Sequence, residues 1–440
     1  MTADKKLTII GAGLAGCEAA WQAARRGIAV RLFEMKPRKF SPAHKLDSLA
    51  ELVCSNSLRS SSLDSAIGLL KEELRLGSSL IMEAADATRI PAGKAHAVDR
   101  KRFSEYVTSR ITHHPQIEVE RREIASIPRD ELVIVATGPL TSEALSHSLR
   151  SLVGGEFLSF YDAIAPIVSK DSIDMEVVFR QSRYGPPGEG DYLNCPMDKD
   201  LYDKFVQELL QGEKVALHSF ESPRYFEGCL PVEIMAERGP ETLRFGPMKP
   251  VGLIDPKTGR QPWAVVQLRP EDAEGTLYNM VGFQTKLKWQ EQKRIFKMIP
   301  GLGDAEFVRL GSIHRNTFVC APKVLHPDLS LHQGPNCILA GQISGVEGYI
   351  ESTSMGFLAG VHAARRLKGQ PPLIPPPETA HGALITHLTK ARPETFQPMN
   401  VNFGLFPRLG KRLPKRKRGR AYAERALKAW QEYLQSINPH

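Results

Sequence analysis

Two hydrophobic textures alternate along the chain. Leu7-Thr8-Ile9-Ile10 is a short, nearly unbroken apolar run, and a glycine-rich turn, Gly11 to Gly16, follows it. Cys17 to Arg26 then offers good helix formers up to a stop at Gly27, before a second apolar run from Ile28 to Phe33. Short continuous apolar runs flanking a helical stretch predict a βαβ unit. Leu63 to Leu76 predicts a helix that stops at Gly77. His96-Ala97-Val98 predicts a strand, and Asp99 caps a helix running to about His113. Leu132 to Ala136, bounded by Gly138-Pro139, has the continuous apolarity of a central parallel strand.

From about Gly154 to Leu310 the texture changes. Proline and glycine breaks crowd in, as at Gly185-Pro186-Pro187-Gly188 and at Pro223, Pro231, Pro240, Pro247 and Pro250. Between them lie extended pieces at Ala264–Leu268 and Tyr278–Phe283, with helices near Lys199–Leu210 and Leu287–Met298. The first texture returns at Cys337 to Ala340 and in a helix from about Ser352 to Leu367. An extended proline-rich connector, Gly369 to Pro377, comes next. A last helix, Ala421 to Leu434, places Tyr422, Leu427, Trp430 and Leu434 at helical spacing for packing on the body. The expected architecture is α/β: a Rossmann-like domain of parallel sheet and flanking helices, residues 1–153 and 311–440. An α+β domain, 154–310, is inserted into it.

The turn Gly11-Ala12-Gly13-Leu14-Ala15-Gly16 is GxGxxG, and Glu34 ends the next strand eighteen residues past the last glycine. In a strand–turn–helix setting this is a dinucleotide fingerprint: bare backbone amides meet a pyrophosphate and the acid accepts from a ribose hydroxyl. The acid disfavours a 2′-phosphate, leaving FAD or NAD as the resident cofactor. Two further segments favour FAD. Val133 to Gly138, ending Ala136-Thr137-Gly138, resembles the segment of flavoproteins that passes beside the cofactor. Ile338-Leu339-Ala340-Gly341-Gln342 resembles their C-terminal motif, with Gln342 where many have Asp. There is one GxGxxG, so a nicotinamide donor would bind transiently, without a fingerprint of its own.

The 440 residues carry 58 Lys/Arg against 49 Asp/Glu, a net charge of +9. From His381 onward there are twelve basic residues against three acidic ones, so the rest of the chain is neutral and the whole excess sits at the end, mostly in Arg408 to Arg420. A terminal basic block on a neutral body points to a polyanion, nucleic acid above all. No uncharged apolar run approaches a bilayer span, which argues against a membrane protein. The six cysteines, at 17, 54, 195, 229, 320 and 337, form no CxxC pair and read as reduced cytosolic thiols. The thirteen histidines show no HExxH or other ligand spacing, so no metal site is expected. Cys54, in Val53-Cys54-Ser55-Asn56-Ser57, and Cys229, between Gly228 and Leu230-Pro231, lie in loop-like polar or glycine settings that suit reactive thiols. The other four read as buried small hydrophobes.

The segments GAGLAGCEAA, ELVCSNSLRS, HAVDR, VIVATGPL, YFEGCLPVE, GSIHRNTF, GQISGVEGYIESTSMG and QPMNVNFGLFP run almost end to end. Together they resemble the bacterial folate- and FAD-dependent tRNA (uracil-5-)-methyltransferases, the TrmFO family. They set the chain apart from a larger FAD-binding relative that modifies wobble uridines and carries an extra helical C-terminal region. The resemblance implies a cytoplasmic enzyme that takes a methylene group from methylenetetrahydrofolate and passes it to C5 of the T-loop uridine of tRNA. Reduced FAD serves as carrier and hydride source, and NAD(P)H restores it. It implies no obligate protein partner. It further implies Cys229 as the nucleophile at uracil C6 and Cys54 as a flavin-adjacent thiol, with the division between them open. His314 would stack on the folate pterin, Tyr349 would cover the flavin face, and Lys415, Arg416, Lys417 and Arg418 would hold tRNA phosphates. Phe403, Phe406 and Tyr422 are core residues or base-stacking ones. A nicotinamide-dependent flavin reductase without RNA, and an RNA-binding flavoprotein without methyl transfer, are the competing classes.

Overall fold

The computed structural model describes residues 6–154, 157–186, 188–215, 230–410 and 413–437. The N-terminal unit opens with strand β1 (Leu7–Ile10), helix α1 (Leu14–Ala24) and strand β2 (Val30–Glu34). The two strands pair in parallel, Leu7 opposite Val30 and Ile10 opposite Phe33. Around them a six-stranded sheet runs in the order Ser330–Leu331, Gly334–Leu339, Val133–Val135, β1, β2, Ile117–Arg121. All neighbours are parallel except the first pair, which is antiparallel at the edge. The inner strands are buried along their length, which is why their sequences are apolar without alternation. Because β2 lies on one side of β1 and Val133–Val135 on the other, the carboxyl end of β1 is a topological switch point, where open α/β sheets bind ligands.

Helix α1 is held by the long helix Tyr349–Leu367, buried on nearly every side. A Cβ on Gly356 would lie 2.2 Å from the Ala15 carbonyl oxygen, and one on Gly360 would lie 2.5 Å from that of Ala19. Only hydrogen fits at this crossing, and the small residues of Ser-Met-Gly-Phe-Leu-Ala-Gly supply it. Other helices begin where a side chain satisfies a first-turn amide. Ser65 accepts from Gly68 N, so that helix starts at Ala66 rather than at Leu63; Asp99 accepts from Arg102 N and starts Arg100–Thr112 as the sequence predicts.

The chain leaves this unit along Phe157–Ile164 and returns along Ser312–Val319, the two strands forming an antiparallel ribbon. Between them lies a second six-stranded sheet, in the order Phe179–Arg180, Leu193–Met197, Ala264–Pro270, Leu277–Met280, Ile167–Ser169, Phe307–Arg309. Its pairs are all antiparallel. Helices Lys199–Gln211 and Trp289–Phe296 accompany it, around a hydrophobic core of its own in which Phe283 packs on Phe205 and Phe296. The fold class read from the sequence therefore holds, with a parallel Rossmann-like sheet and a separate sheet inserted in the chain.

The C-terminal helix is longer than its pattern predicts, Lys415–Ile437, and absorbs the basic run into its first turns. Its buried stripe is Ala423, Ala426, Trp430, Tyr433 and Ile437; Tyr422, Leu427 and Leu434 are only half-buried. The two alanines let the helix sit close to the body. Trp430 donates through Nε1 to the Glu73 carbonyl at 2.6 Å and stacks on His381, ring centroids 4.1 Å apart. The Glu73 carboxylate in turn accepts from the amides of Ala380 and His381 and pairs with His381 Nδ1. Phe403 and Tyr422 stack on each other at 5.0 Å, with Phe406 against both, so these rings bind one another.

Candidate functional site

At the carboxyl end of β1 a cleft of about 1130 Å3, open mouth included, is lined by Gly11, Ala12, Gly13, Leu14, Ala15, Glu34, Thr137, Gly138, Gly341, Gln342 and Tyr349. Gly16 is the one fingerprint residue outside the wall. It sits beneath the turn, where a Cβ would come within 1.8 Å of the Gly11 carbonyl oxygen. Gly13 differs: its φ is −75°, and a Cβ there would meet no protein atom within 4 Å. The space above Gly13 is thus cleft, and Gly13 as N-cap has no side chain to satisfy the first-turn amides of α1. Those amides and the positive end of the helix suit a pyrophosphate. Glu34 accepts from Ala12 N at 3.1 Å and from Lys36 N at 3.0 Å, and a carboxylate has lone pairs left for a ribose hydroxyl. On these observations the residues fit a dinucleotide such as FAD. Gln342, standing where many flavoproteins have Asp, donates through Nε2 to the Glu347 carboxylate at 2.5 Å, so a carboxylate is present one step back from the cleft.

Tyr349 connects the cleft to Cys54. Its hydroxyl accepts from the amides of Cys54 at 2.8 Å and Ser55 at 3.1 Å. Burial, then the neighbouring Cys54, pushes this hydroxyl up from its ordinary range, so it stays protonated. Cys54 itself is partly exposed. Three arginines grip the same segment. Arg100 donates to the Leu52 carbonyl at 2.7 Å and forms a two-point ion pair with Glu271. Arg309 donates to the carbonyls of Val53 at 3.0 Å and Cys54 at 3.3 Å. Arg269 donates to Ser55 Oγ at 2.8 Å and to Asn56 Oδ1 at 3.0 Å. Burial lowers Arg269 and, joined by repulsion from Arg100, lowers Arg309 to about 10; burial also opposes the charge of Arg100, but Glu271 outweighs it and the net shift is upward. Two of the three come from the inserted sheet, so the thiol segment is fastened between both units.

By contrast, burial pushes the thiols of Cys17, Cys195 and Cys337 up, which keeps them neutral and inert, and Cys320 is buried too. Cys229 lies outside the described residues. His314 lies on the strand Ser312–Val319, opposite Asp162, and its side chain is outside the description. Lys415, whose side chain is likewise outside it, begins the C-terminal helix, and Arg416, Lys417 and Arg418 are exposed on the first turns. The arginine grip was not apparent in the sequence; only Arg100, within HAVDR, lies in a segment that carries the resemblance. Among the described residues no group of His, Cys, Asp and Glu could hold a metal ion, and no helix is long and apolar enough to cross a membrane.

The family described as Glucose inhibited division protein A matches residues 6–371. A protein of Pelobacter propionicus, named Methylenetetrahydrofolate--tRNA-(uracil-5-)-methyltransferase TrmFO, is 62% identical over 434 residues, 98% of this chain and 95% of its own. Its namesake from Geobacter sulfurreducens is 59% identical over 431 residues, covering 98% and 99%. The solved structure of Aquifex aeolicus GidA in its form I crystal superposes with a TM-score of 0.71 at 18% identity, over 97% of this chain and 78% of that one, and so shares the fold. Full-length identity at this level places the chain in the TrmFO family, within the broader Glucose inhibited division protein A family.

Proposed function

We propose that the protein is a methylenetetrahydrofolate-dependent tRNA (uracil-5-)-methyltransferase that converts the T-loop uridine to ribothymidine. It would be a cytoplasmic flavoprotein with NAD(P)H as the source of electrons. The observation that carries the reading is the bond from the Cys54 amide to Tyr349 at the wall of the dinucleotide cleft, which sets a partly exposed thiol segment beside the cofactor position. FAD, when bound and reduced, supplies the carrier for the methylene carbon and the hydride that completes the methyl group. Gly11 to Ala15 and Gly341 would hold its pyrophosphate, Glu34 a ribose hydroxyl, and Thr137, Gly138, Gln342 and Tyr349 the flavin end.

The remaining chemistry belongs to side chains. Uracil C5 is a poor nucleophile, and addition of a thiolate to C6 moves electron density onto C5 so that it can attack an electrophilic carbon. Loss of the C5 proton to a base, followed by expulsion of the thiolate, restores the ring. Cys229 is assigned the attack at C6 and Cys54 the methylene or the C5 proton. His314 is assigned to stacking on the pterin of the folate. The basic turns at Lys415–Arg418 are assigned to tRNA phosphates. Their helix supports this, because it packs on the loop that leads back to Cys54: a Cβ on Gly419 would come within 2.2 Å of the Asp64 carbonyl oxygen. A flavin reductase without RNA would leave the exposed cations Arg416, Lys417 and Arg418 without a use. A wobble-uridine enzyme is disfavoured because the relatives at 59–62% identity carry the uracil-5 name.

The test is incubation with tRNA lacking ribothymidine, methylenetetrahydrofolate and NADPH, with nucleoside analysis. Ribothymidine at the T-loop position is expected. A flavin-loaded protein that oxidises NADPH but leaves the tRNA unchanged would overturn the reading.

A further inference from the structure

The segment after Cys54 carries a cation that the cleft does not use. Arg59 has φ 64°, a left-handed backbone that costs a non-glycine residue on the order of 1 kcal/mol and that, where it persists, often marks a functional edge. It is held from beneath: the fully buried Lys71 directs Nζ to the carbonyls of Arg59 at 3.1 Å and Ser60 at 2.7 Å. The Arg59 side chain remains 39% exposed while one nitrogen, Nη2, rests on the wholly buried carboxylate of Glu351. Among the described residues its Nε and Nη1 make no hydrogen bond. Burial lowers the Lys71 amine to about 7, so Arg59 is the permanent cation of the pair.

Position selects the ligand. Arg59 stands five positions along the chain from Cys54, at most about 18 Å away. In the other direction the chain reaches Asp64, which touches the basic helix at Gly419. Val401, on the segment that leads into that helix, donates its amide to the same Glu351 carboxylate at 2.9 Å. Arg59 therefore stands between the thiol and the cationic helix turns. Tyr349 and Ser352 line the flavin cleft, whereas Glu351, on the other side of that helix turn, and Arg59 do not.

We propose that Arg59 is a phosphate-binding residue, its unpaired guanidinium edge taking an RNA backbone phosphate close to the uridine presented to the cleft. The inference rests on the tRNA reading above. A guanidinium matches phosphate with two parallel donors, and the buried carboxylate behind it fixes its direction.

The test uses full-length, FAD-loaded protein with Arg59→Gln and Arg59→Lys. In Arg59→Gln, tRNA affinity should fall at least roughly tenfold, the loss of one charge-assisted hydrogen-bonded contact. The log–log salt slope should shrink by about 0.7 to 0.9. The KM for methylenetetrahydrofolate and flavin reduction without RNA should not move. Arg59→Lys should restore the slope but only part of the affinity, because the fork is gone. If Arg59→Gln sheds its flavin, Arg59→Lys decides alone, by weaker tRNA binding at constant folate KM. Unaltered tRNA affinity and slope overturn the proposal. So does a raised folate KM at constant tRNA affinity, which would assign the arginine to a folate carboxylate. Wild-type protein that neither binds nor methylates tRNA overturns the function reading itself, a result visible before any variant is made.

Discussion

Tyr349→Phe removes the hydroxyl through which a residue of the cofactor wall holds the thiol segment. The change keeps the ring and removes an oxygen that accepts from two amides, Cys54 at 2.8 Å and Ser55 at 3.1 Å. Stranding a partly buried amide costs about 1–2 kcal/mol, the lower part of the range for buried groups, so two should cost about 2–4 kcal/mol of local stability. Arg100 and Arg309 still hold the carbonyls of residues 52 to 54, so the segment should loosen on its cofactor side rather than detach. Hydrogen exchange reads this directly: the Cys54 and Ser55 amides should exchange roughly 30- to 1000-fold faster, since each 1.4 kcal/mol is a factor of ten. FAD content should be unchanged, because an aromatic ring still covers the same wall. Ribothymidine formation should fall more than tenfold while NADPH oxidation without tRNA holds, because the perturbed group is the thiol segment. Unchanged protection at both amides together with normal methylation would refute the argument. Loss of FAD in step with activity would show that the hydroxyl serves the cofactor, not the thiol.

Four further outcomes are expected. Gly13→Ala should fold normally yet fail to retain FAD, since its Cβ enters only cleft space, whereas Gly16→Ala should not fold, with a backbone oxygen 1.8 Å from the new atom; thermal melting and flavin absorbance separate the two. With 5-fluorouridine in the T-loop, a covalent RNA adduct should form in the unmodified protein and in Cys54→Ala but not in Cys229→Ala; the reverse pattern would exchange the two roles. Neutralising Lys415, Arg416, Lys417 and Arg418 together should weaken tRNA binding and lower its salt slope by about 0.7 to 0.9 per lost phosphate contact, with NADPH oxidation unaffected. Lys71 is protonated up to pH 10.5 in its ordinary state but only to about 7 in the fold, so the unfolded chain binds the extra proton between those values. Stability relative to Lys71→Met should therefore rise with pH across that window, by at most about 1.4 kcal/mol per pH unit, and a flat difference in chemical denaturation would remove the buried amine from the account.

What the sequence disclosed and what it hid divide along the range of the interactions. The fingerprint from Gly11 to Gly16 is readable because its demands are local: a turn that must bring residue 16 under residue 11 excludes a Cβ whatever surrounds it. Strands buried on both faces are readable because burial leaves an unbroken apolar run, as in Val133–Val135. The C-terminal helix begins at Lys415, six residues before the Ala421 that the apolar spacing predicts, because Lys and Arg are good helix formers and extend it back to the residue after Pro414. Its buried stripe was displaced because Ala423 and Ala426, which permit close approach, give a weaker signal than the half-buried Tyr422 and Leu427.

The arginine grip on Cys54 had no local mark at all. Arg100, Arg269 and Arg309 reach residues 54 and 55 across 46, 214 and 255 positions of chain, each a single cation among ordinary neighbours. Yet the geometry of the thiol depends on them more than on the motif around it, since their donors fix its carbonyls while Tyr349 fixes its amide. Two of those arginines ride on the inserted sheet. A change in the attitude of that sheet must therefore either carry the Cys54 segment with it or break bonds to two backbone carbonyls and two side chains. The insertion is then mechanically part of the site, and its effect on methylation should travel through residues 53 to 56 before it reaches the cofactor wall.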